Sequence, residues 1–332
     1  MKEKLFADQI KQHQMEELAR RIPLDMFESQ RPWVLKKAHE VENLYKKERW
    51  WQFIKGKEHR WARSLKSSQC FAVNLFGPLA DDAGLAKTVV SQLLRHRKRE
   101  LREGDKVEVA FEHTPEEARK WLGEGKDNQQ PSQIDVFVTV SRSNNPVGYF
   151  LVEVKLSEPE FGSCRGWTGR DKKTKEWSNP DRTRCESLGA IRSNVRANCW
   201  MAGDENGRHY WDFIEPSNAY FDLSVLQSDA PCPFRYGLYQ LMRNQVLAAV
   251  LVQKTKAEWV DFGVCLHPEN RAVRKLRVEV ADKSDALEAF GKLLSKTQQI
   301  VEINPSEVVQ LVAECDHTLG DWRQYMMTRY KL

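Results

Sequence analysis

The sequence has no long hydrophobic run. A stretch such as Leu247–Val252 falls far short of the ~20 apolar residues that cross a bilayer, which excludes a membrane-spanning helix from the expected architecture. The opening residues, MKEKLFADQIKQHQMEEL, lack the apolar core and small-residue cleavage site of a secretory signal, so a cytoplasmic protein is expected. Cysteine is sparse and odd in number, seven residues with no C-x2-C pair, which argues against a secreted disulfide framework. No internal repeat and no low-complexity tract stands out. A strong excess of one charge is also missing: the net charge is +5, a weak hint of an anionic partner.

What is present fits a water-exposed globular chain with a substantial core. The 332 residues are 41% hydrophobic and 30% charged, enough for one large domain or two modest ones. The basic residues are unevenly spread. Lys36–Lys66 holds ten Lys/Arg against four Asp/Glu, and Arg165–Arg196 holds nine against four. Such stretches track phosphate backbones or form solvated basic faces, and composition does not separate the two.

Residues 1–66 read as a polar, mostly helical N-terminal region packing on the core, interrupted at Arg31-Pro32. Residues 36–66 read as one long helix whose Tyr45, Trp50, Trp51, Phe53 and Trp61 read at helical spacing as packing residues, with base stacking among the basic residues as the alternative. From Ser67 the texture changes to SSQCFAVNLFGPLA, uncharged until Asp81, with Gly77-Pro78 as a turn signal. A helix is expected over Ala86–Arg102, its basic C-terminal run suiting the macrodipole. The period then switches to two over Val107–Glu112, a half-buried strand. A short helix follows over Pro115–Leu122, with Thr114 expected as its N-cap. After the polar loop GEGKDNQQPS come two strands, Gln133–Ser141 and Val147–Ser157, joined by RSNNP. Residues 158–232 form a loop-rich insertion with four of the cysteines. A long apolar helix over Phe234–Lys254, a strand over Glu258–Leu266 and an alternating tail complete an α/β chain.

The two strands before the insertion carry the chemistry. Side chains alternate across a strand, so Phe150, Val152, Val154 and Leu156 share one face while Tyr149, Leu151, Glu153 and Lys155 share the other. On the preceding strand Asp135 points away from the face of Ile134, Val136, Val138 and Val140. Ionised groups on apolar strands are costly unless paired or bound to metal. Phosphodiester hydrolysis would use such groups: two carboxylates, Asp135 and Glu153, with the Val154 carbonyl, to hold a hard cation, and Lys155 to orient or deprotonate a water. The bland alternative is a Glu–Lys pair on a solvated sheet face, with Asp135 merely starting a strand.

IDVFV…VEVKLSE resembles the D…E-x-K core of the PD-(D/E)XK, restriction-endonuclease-like nuclease superfamily, and in particular a bacterial group of restriction-endonuclease-like proteins. SSQCFAVNLFGPL and PFRYGLYQLMRN extend the resemblance over roughly residues 60–265. It implies a mixed central sheet flanked by helices, occupying 67–332 after a helical extension. It also implies Mg²⁺ or Mn²⁺ dependence and DNA as substrate, in defence against foreign DNA or in repair. Asp135 and Glu153 carry over to the metal-binding acids and Lys155 to the catalytic lysine, although Ile134 stands where the motif has proline. Glu112 matches an additional acid, Glu158 a weaker candidate, and Gln240 a helical glutamine beside the active site, with Arg243 and Asn244 on its face as nucleic-acid contacts. A non-catalytic nucleic-acid-binding protein of the same fold and an RNA-directed nuclease stay open, as does a homodimer. Cys164, Cys185, Cys199 and Cys232 are the residues for a structural zinc or iron–sulfur cluster, but their spacings of 21, 14 and 33 favour ordinary buried thiols.

Overall fold

A computed structural model describes residues 6–18, 20–125, 131–171, 173–204, 206–214 and 220–332. Its centre is a five-stranded sheet: β1 (Lys106–His113), β2 (Ile134–Arg142), β3 (Asn145–Lys155), β4 (Trp259–Leu266) and β5 (Ile300–Ile303), in that spatial order. β1, β2 and β3 are antiparallel, while β4 and β5 join parallel to β3, so the sheet is mixed. The β2–β3 hairpin closes through Ser143 and Asn144, both with positive φ (49° and 64°). That two-residue turn matches the right-handed twist of the strands it joins.

The helices that frame the sheet are α1 (Phe6–Leu18), α2 (Ser68–Asp81), α3 (Ala83–Leu93), α4 (Tyr239–Lys254), α5 (Pro305–Cys315) and α6 (Gly320–Tyr330). Val136, Val138, Val140, Phe150, Val152 and Val154 pack against α2, α3, α5 and α6. The opposite face, with Phe137, Tyr149 and Leu151, packs against α4 and the short helices of the insertion. Burying both faces explains why these strands read as nearly continuous apolar runs.

The N-terminal sixty-odd residues are not mostly helical. After α1 the chain forms a hairpin (Phe27–Glu28 with Arg31–Leu35), a 3-10 stretch over Lys37–Asn43 and a five-residue helix, Lys47–Trp51. A continuous helix over 36–66 fails because tertiary contacts outcompete it. The Asn43 amide donates to the carbonyls of Ala62 and Ser64 at 2.7 and 2.9 Å, folding the segment back on itself. Gly56 turns with φ +82°. Trp50, Trp51, Ile54 and Ala62 then join the same core cluster as the sheet.

Gly77-Pro78 does not mark a turn, because α2 runs through it. Proline has no N–H to offer the carbonyl one turn earlier. That carbonyl, Asn74 O, is taken at 2.8 Å by the indole N–H of buried Trp322 on α6. Gly77 lets the Trp50 ring lie where a Cβ would stand only 2.7 Å away. α3 ends at Leu93, short of the expected Arg102, and its basic run has a different task. Arg97 and Arg99 pair at 2.9 and 2.7 Å with the buried Asp261 of β4. Thr114 does not cap the short helix, which starts at Glu116 after Pro115, and its hydroxyl instead donates to Ser132 O. α4 starts at Tyr239 because Gly237, φ +63°, breaks the chain direction just before it. The loop expected over 123–132 lies partly outside the described residues.

Gly77→Ala replaces a poor helix former by the best one, yet it should destabilise. Trp50 is fully buried and cannot yield, so the overpacking cost is about 1–3 kcal/mol. Urea unfolding would show a lower midpoint with an unchanged slope; a variant as stable as the parent would contradict this packing.

Candidate active site

Register brings three acids into one row. β2 pairs with β3 through Val136↔Val152, so the next step outward sets Asp135 opposite Glu153. β1 pairs with β2 through Phe111↔Val136 and His113↔Ile134, which sets Glu112 opposite Asp135. All three are buried, at 3%, 8% and 0% exposure for Glu112, Asp135 and Glu153. Three buried carboxylates side by side repel and lack solvent, and each has a different local answer.

Glu153 is satisfied by protein. Its Oε1 accepts from Lys155 Nζ at 2.6 Å and its Oε2 from Asn244 Nδ2 of α4 at 2.7 Å. Asp135 Oδ2 accepts the Val154 N–H at 2.7 Å. Burial raises the Asp135 carboxyl well above its ordinary value, and the charges of Glu153 and Glu112 raise it further. Glu112 has the least support: neither carboxylate oxygen has a hydrogen-bond partner. His59 Nε2 stands 3.1 Å from Glu112 Oε2, at ion-pair distance but off a hydrogen-bond axis. The Glu112 carboxylate accordingly holds the imidazole above its usual value against the effect of burial. Glu112 also sits at φ +47°, a strained backbone for a glutamate, at the point where β1 bends into the site.

Burial alone would push the Lys155 ammonium down, but Glu153, Glu158 and Asp135 outweigh it and hold the group charged. Lys155 reaches a cleft of about 480 Å³ lined also by His59, Trp61, Asp135, Glu158 and Gln240. The site therefore has an acidic floor, the Lys155 ammonium held against it, and an opening whose wall also carries Arg31 and Lys66. Among the described residues no group of three or more His, Cys, Asp or Glu side chains is arranged as a coordination sphere.

The sequence-derived candidates separate here. Asp135, Glu153, Lys155, Glu112 and Gln240 converge on the row or its cleft. Asn244 does not face solvent for a nucleic acid: it is 1% exposed and spends its amide on Glu153. Arg243 turns to another buried acid, with Nη2 3.5 Å from Glu124 Oε1 and Nε donating to Ser132 Oγ at 3.2 Å. Glu124 is fully buried and also draws Arg208 (3.2 Å) and the Tyr210 hydroxyl (2.6 Å), so this cluster claims the guanidinium for structure. Glu158 is occupied by the Ser68 hydroxyl and the N–H groups of Leu156 and Ser157. His59 was missed by sequence reasoning. It lies in an irregular segment far from the motif, and no local pattern marks it.

A family model described as Restriction Endonuclease associating with ARP matches residues 13–331. No curated protein and no solved structure matches the chain.

The acid row makes a prediction about stability. Asp135→Asn keeps an acceptor for the Val154 N–H and removes one of three like charges. Without divalent cations the melting temperature should rise by roughly 2–4 °C, the shift that about 1 kcal/mol gives in a large domain. A clear fall in EDTA would mean that the row is not repulsive.

Proposed function

We propose that this chain, which belongs to the family described as Restriction Endonuclease associating with ARP, is a divalent-metal-dependent DNA endonuclease centred on Asp135, Glu153 and Lys155. The observation that carries the reading is the buried row Glu112–Asp135–Glu153, opening on a cleft that also receives Lys155 and Gln240. The donor set suits a hard cation that takes oxygen ligands and keeps several waters. Neither Glu112 oxygen has a hydrogen-bond partner, its ion-pair neighbour across the site being His59 at 3.1 Å, and the Asp135 carboxyl is raised by burial and by its acidic neighbours, a strain that added positive charge relieves. Asp135 and Glu153, with the Val154 carbonyl and Glu112 beside them, are the residues that would hold Mg²⁺ or Mn²⁺. When bound, the ion supplies Lewis-acid polarisation of a phosphoryl oxygen.

The chain's own groups do the positioning. The Val154 N–H fixes Asp135, and Asn244 with Lys155 fixes both oxygens of Glu153, so neither acid needs to reorganise. Lys155, held as an ammonium, orients the attacking water and offsets charge gathering on the phosphate; in this protonation state it is not a base. Gln240 offers its amide to water or phosphate at the cleft wall. No helix among the described residues is long and apolar enough to cross a membrane, and a cytoplasmic DNA substrate fits the site. The association with ARP in the family's description is carried over as a partner in this proposal.

Plasmid, oligonucleotide and RNA substrates incubated with Mg²⁺, Mn²⁺ or EDTA test the reading. DNA cleavage should need the cation and fall about 10²- to 10³-fold in Lys155→Ala. Asn244→Leu should raise the cation concentration needed by about 10- to 100-fold. Cleavage that persists in EDTA, or a fully active Lys155→Ala, would overturn the mechanism; cleavage of RNA alone would overturn the substrate.

A further inference from the structure

Between β3 and α4 the chain runs from Leu156 to Leu238, and the longest helix described in that stretch is Leu188–Ser193, six residues. A long insertion of short elements ordinarily needs a cross-link to hold one conformation. Linear spacing does not bring its cysteines together, but the fold does. Cys232 N donates to Cys185 O at 2.9 Å, Arg235 N to Cys232 O at 3.4 Å, and Cys164 N to Arg235 O at 3.2 Å. Three of the four cysteines are thus tied through one short backbone relay. The fourth arrives through a glycine. The Trp200 ring, next to Cys199, stands 3.3 Å from where a Cβ on Gly166 would be, so the Cys199 loop closes directly over the Cys164 turn.

The chemistry of the pocket matches its geometry. Cys199, Cys232 and Cys185 all lie near enough to act on the Cys164 thiol, so the four side chains share one pocket. The N–H groups of Gly166, of Ala202 and Met201, and of Phe234 face the sulfurs of Cys164, Cys199 and Cys232. Arg182 and Arg235 stack on Trp167 at 4.2 and 4.8 Å, and both act on the Cys185 thiol. Two guanidinium groups beside four clustered thiols, Cys185 buried and the other three half-buried, suit a centre whose loaded form carries net negative charge.

We propose that Cys164, Cys185, Cys199 and Cys232 form a tetrathiolate site for a structural zinc ion that pins the insertion to the start of α4. Thiolate donors select soft or borderline metals, and four of them close a tetrahedral site with no open position. Each thiol gives up its proton on binding, so one Zn²⁺ and four neutral thiols yield a dianionic centre and four released protons. The sulfurs are not arranged as a coordination sphere in this structure. Rotation about the Cα–Cβ bonds would turn them inward, because the backbone relay sets three of the segments together and the Trp200 contact at Gly166 brings the fourth beside them. The same insertion fixes the catalytic helix: Gln240 N donates to Phe161 O at 2.9 Å, three residues before Cys164.

The test is metal content of the full-length protein, purified without added metal or chelator from zinc-replete cells. About one zinc per chain is expected, released in step with mercurial titration of four thiols. Cys199→Ser and Cys232→Ser should lose it, whereas exposed Cys315→Ser and the acid-row variant Glu153→Gln should keep it. Should the serine variants fail to fold, Co²⁺ replacement in the unmodified chain gives the independent reading, with visible bands of a tetrahedral tetrathiolate. A zinc-free protein, the absorption of an iron–sulfur cluster, unchanged zinc in Cys199→Ser, or loss of zinc in Glu153→Gln would each overturn the proposal.

Discussion

The structure is organised around a cost: three carboxylates lie side by side on a sheet whose two faces are both covered. Glu112, Asp135 and Glu153 occupy one row because three antiparallel strands hold a strict register. Removing a carboxylate from water costs several kcal/mol even after relaxation. The surroundings answer each acid differently. Glu153 has an ammonium and an amide, Asp135 a backbone N–H, and Glu112 only the imidazole of His59 at ion-pair distance. The gradient of satisfaction runs across the row, and its unsatisfied end is where added positive charge would gain most.

Keeping that row in place requires rigid supports on both sides. On one face α2 and α3 press on the valines of β2 and β3, and α6 locks α2 through the Trp322 indole on the carbonyl that Pro78 leaves free. The N-terminal segment is part of this support, since the Asn74 amide of α2 donates to Asn43 O at 3.0 Å, Asn74 Oδ1 accepts the Tyr45 N–H at 2.8 Å, and the buried Arg329 of α6 donates to Asn43 O at 2.9 Å. On the other face α4 supplies Asn244 to Glu153, while the insertion packs over α4 and fixes its first turn. The N-terminal segment also delivers His59 to Glu112, so a residue outside the nuclease motif meets the acid row.

The strands and the acid pair were legible in the sequence because β2 and β3 read as nearly continuous apolar runs, in which a charged residue among valines is conspicuous. Asp135, Glu153 and Lys155 needed only period two and the antiparallel rule. Arg243 and Asn244 show where such reasoning stops. Helical spacing put them on one stripe, but neighbouring buried acids divide it, Glu153 taking Asn244 and Glu124 taking Arg243. The helix expected over 36–66 failed because Trp50 and Trp51 pack into the core beside α2 and the sheet, in positions that propensity does not encode, while Trp61 lies half exposed at the cleft. Gly77-Pro78 misled for a related reason. Its meaning depends on Trp50 and Trp322, which lie far off in the chain. The four insertion cysteines were judged by spacing alone, whereas their proximity is made by backbone bonds around Arg235 and a glycine at 166.

Direct Mn²⁺ binding to the full-length protein, freed of loosely bound divalent cations, tests the central claim without relying on any substrate. The electron paramagnetic resonance signal of free Mn²⁺ disappears as the ion binds. The acid row predicts a site that weakens by at least ~10-fold in Glu153→Gln and in Asp135→Asn, and weakens also in Glu112→Gln, because that variant removes the acid with no hydrogen-bond partner. Equal Mn²⁺ affinity in the parent protein and in Asp135→Asn would contradict the account and leave the row as a structural feature alone.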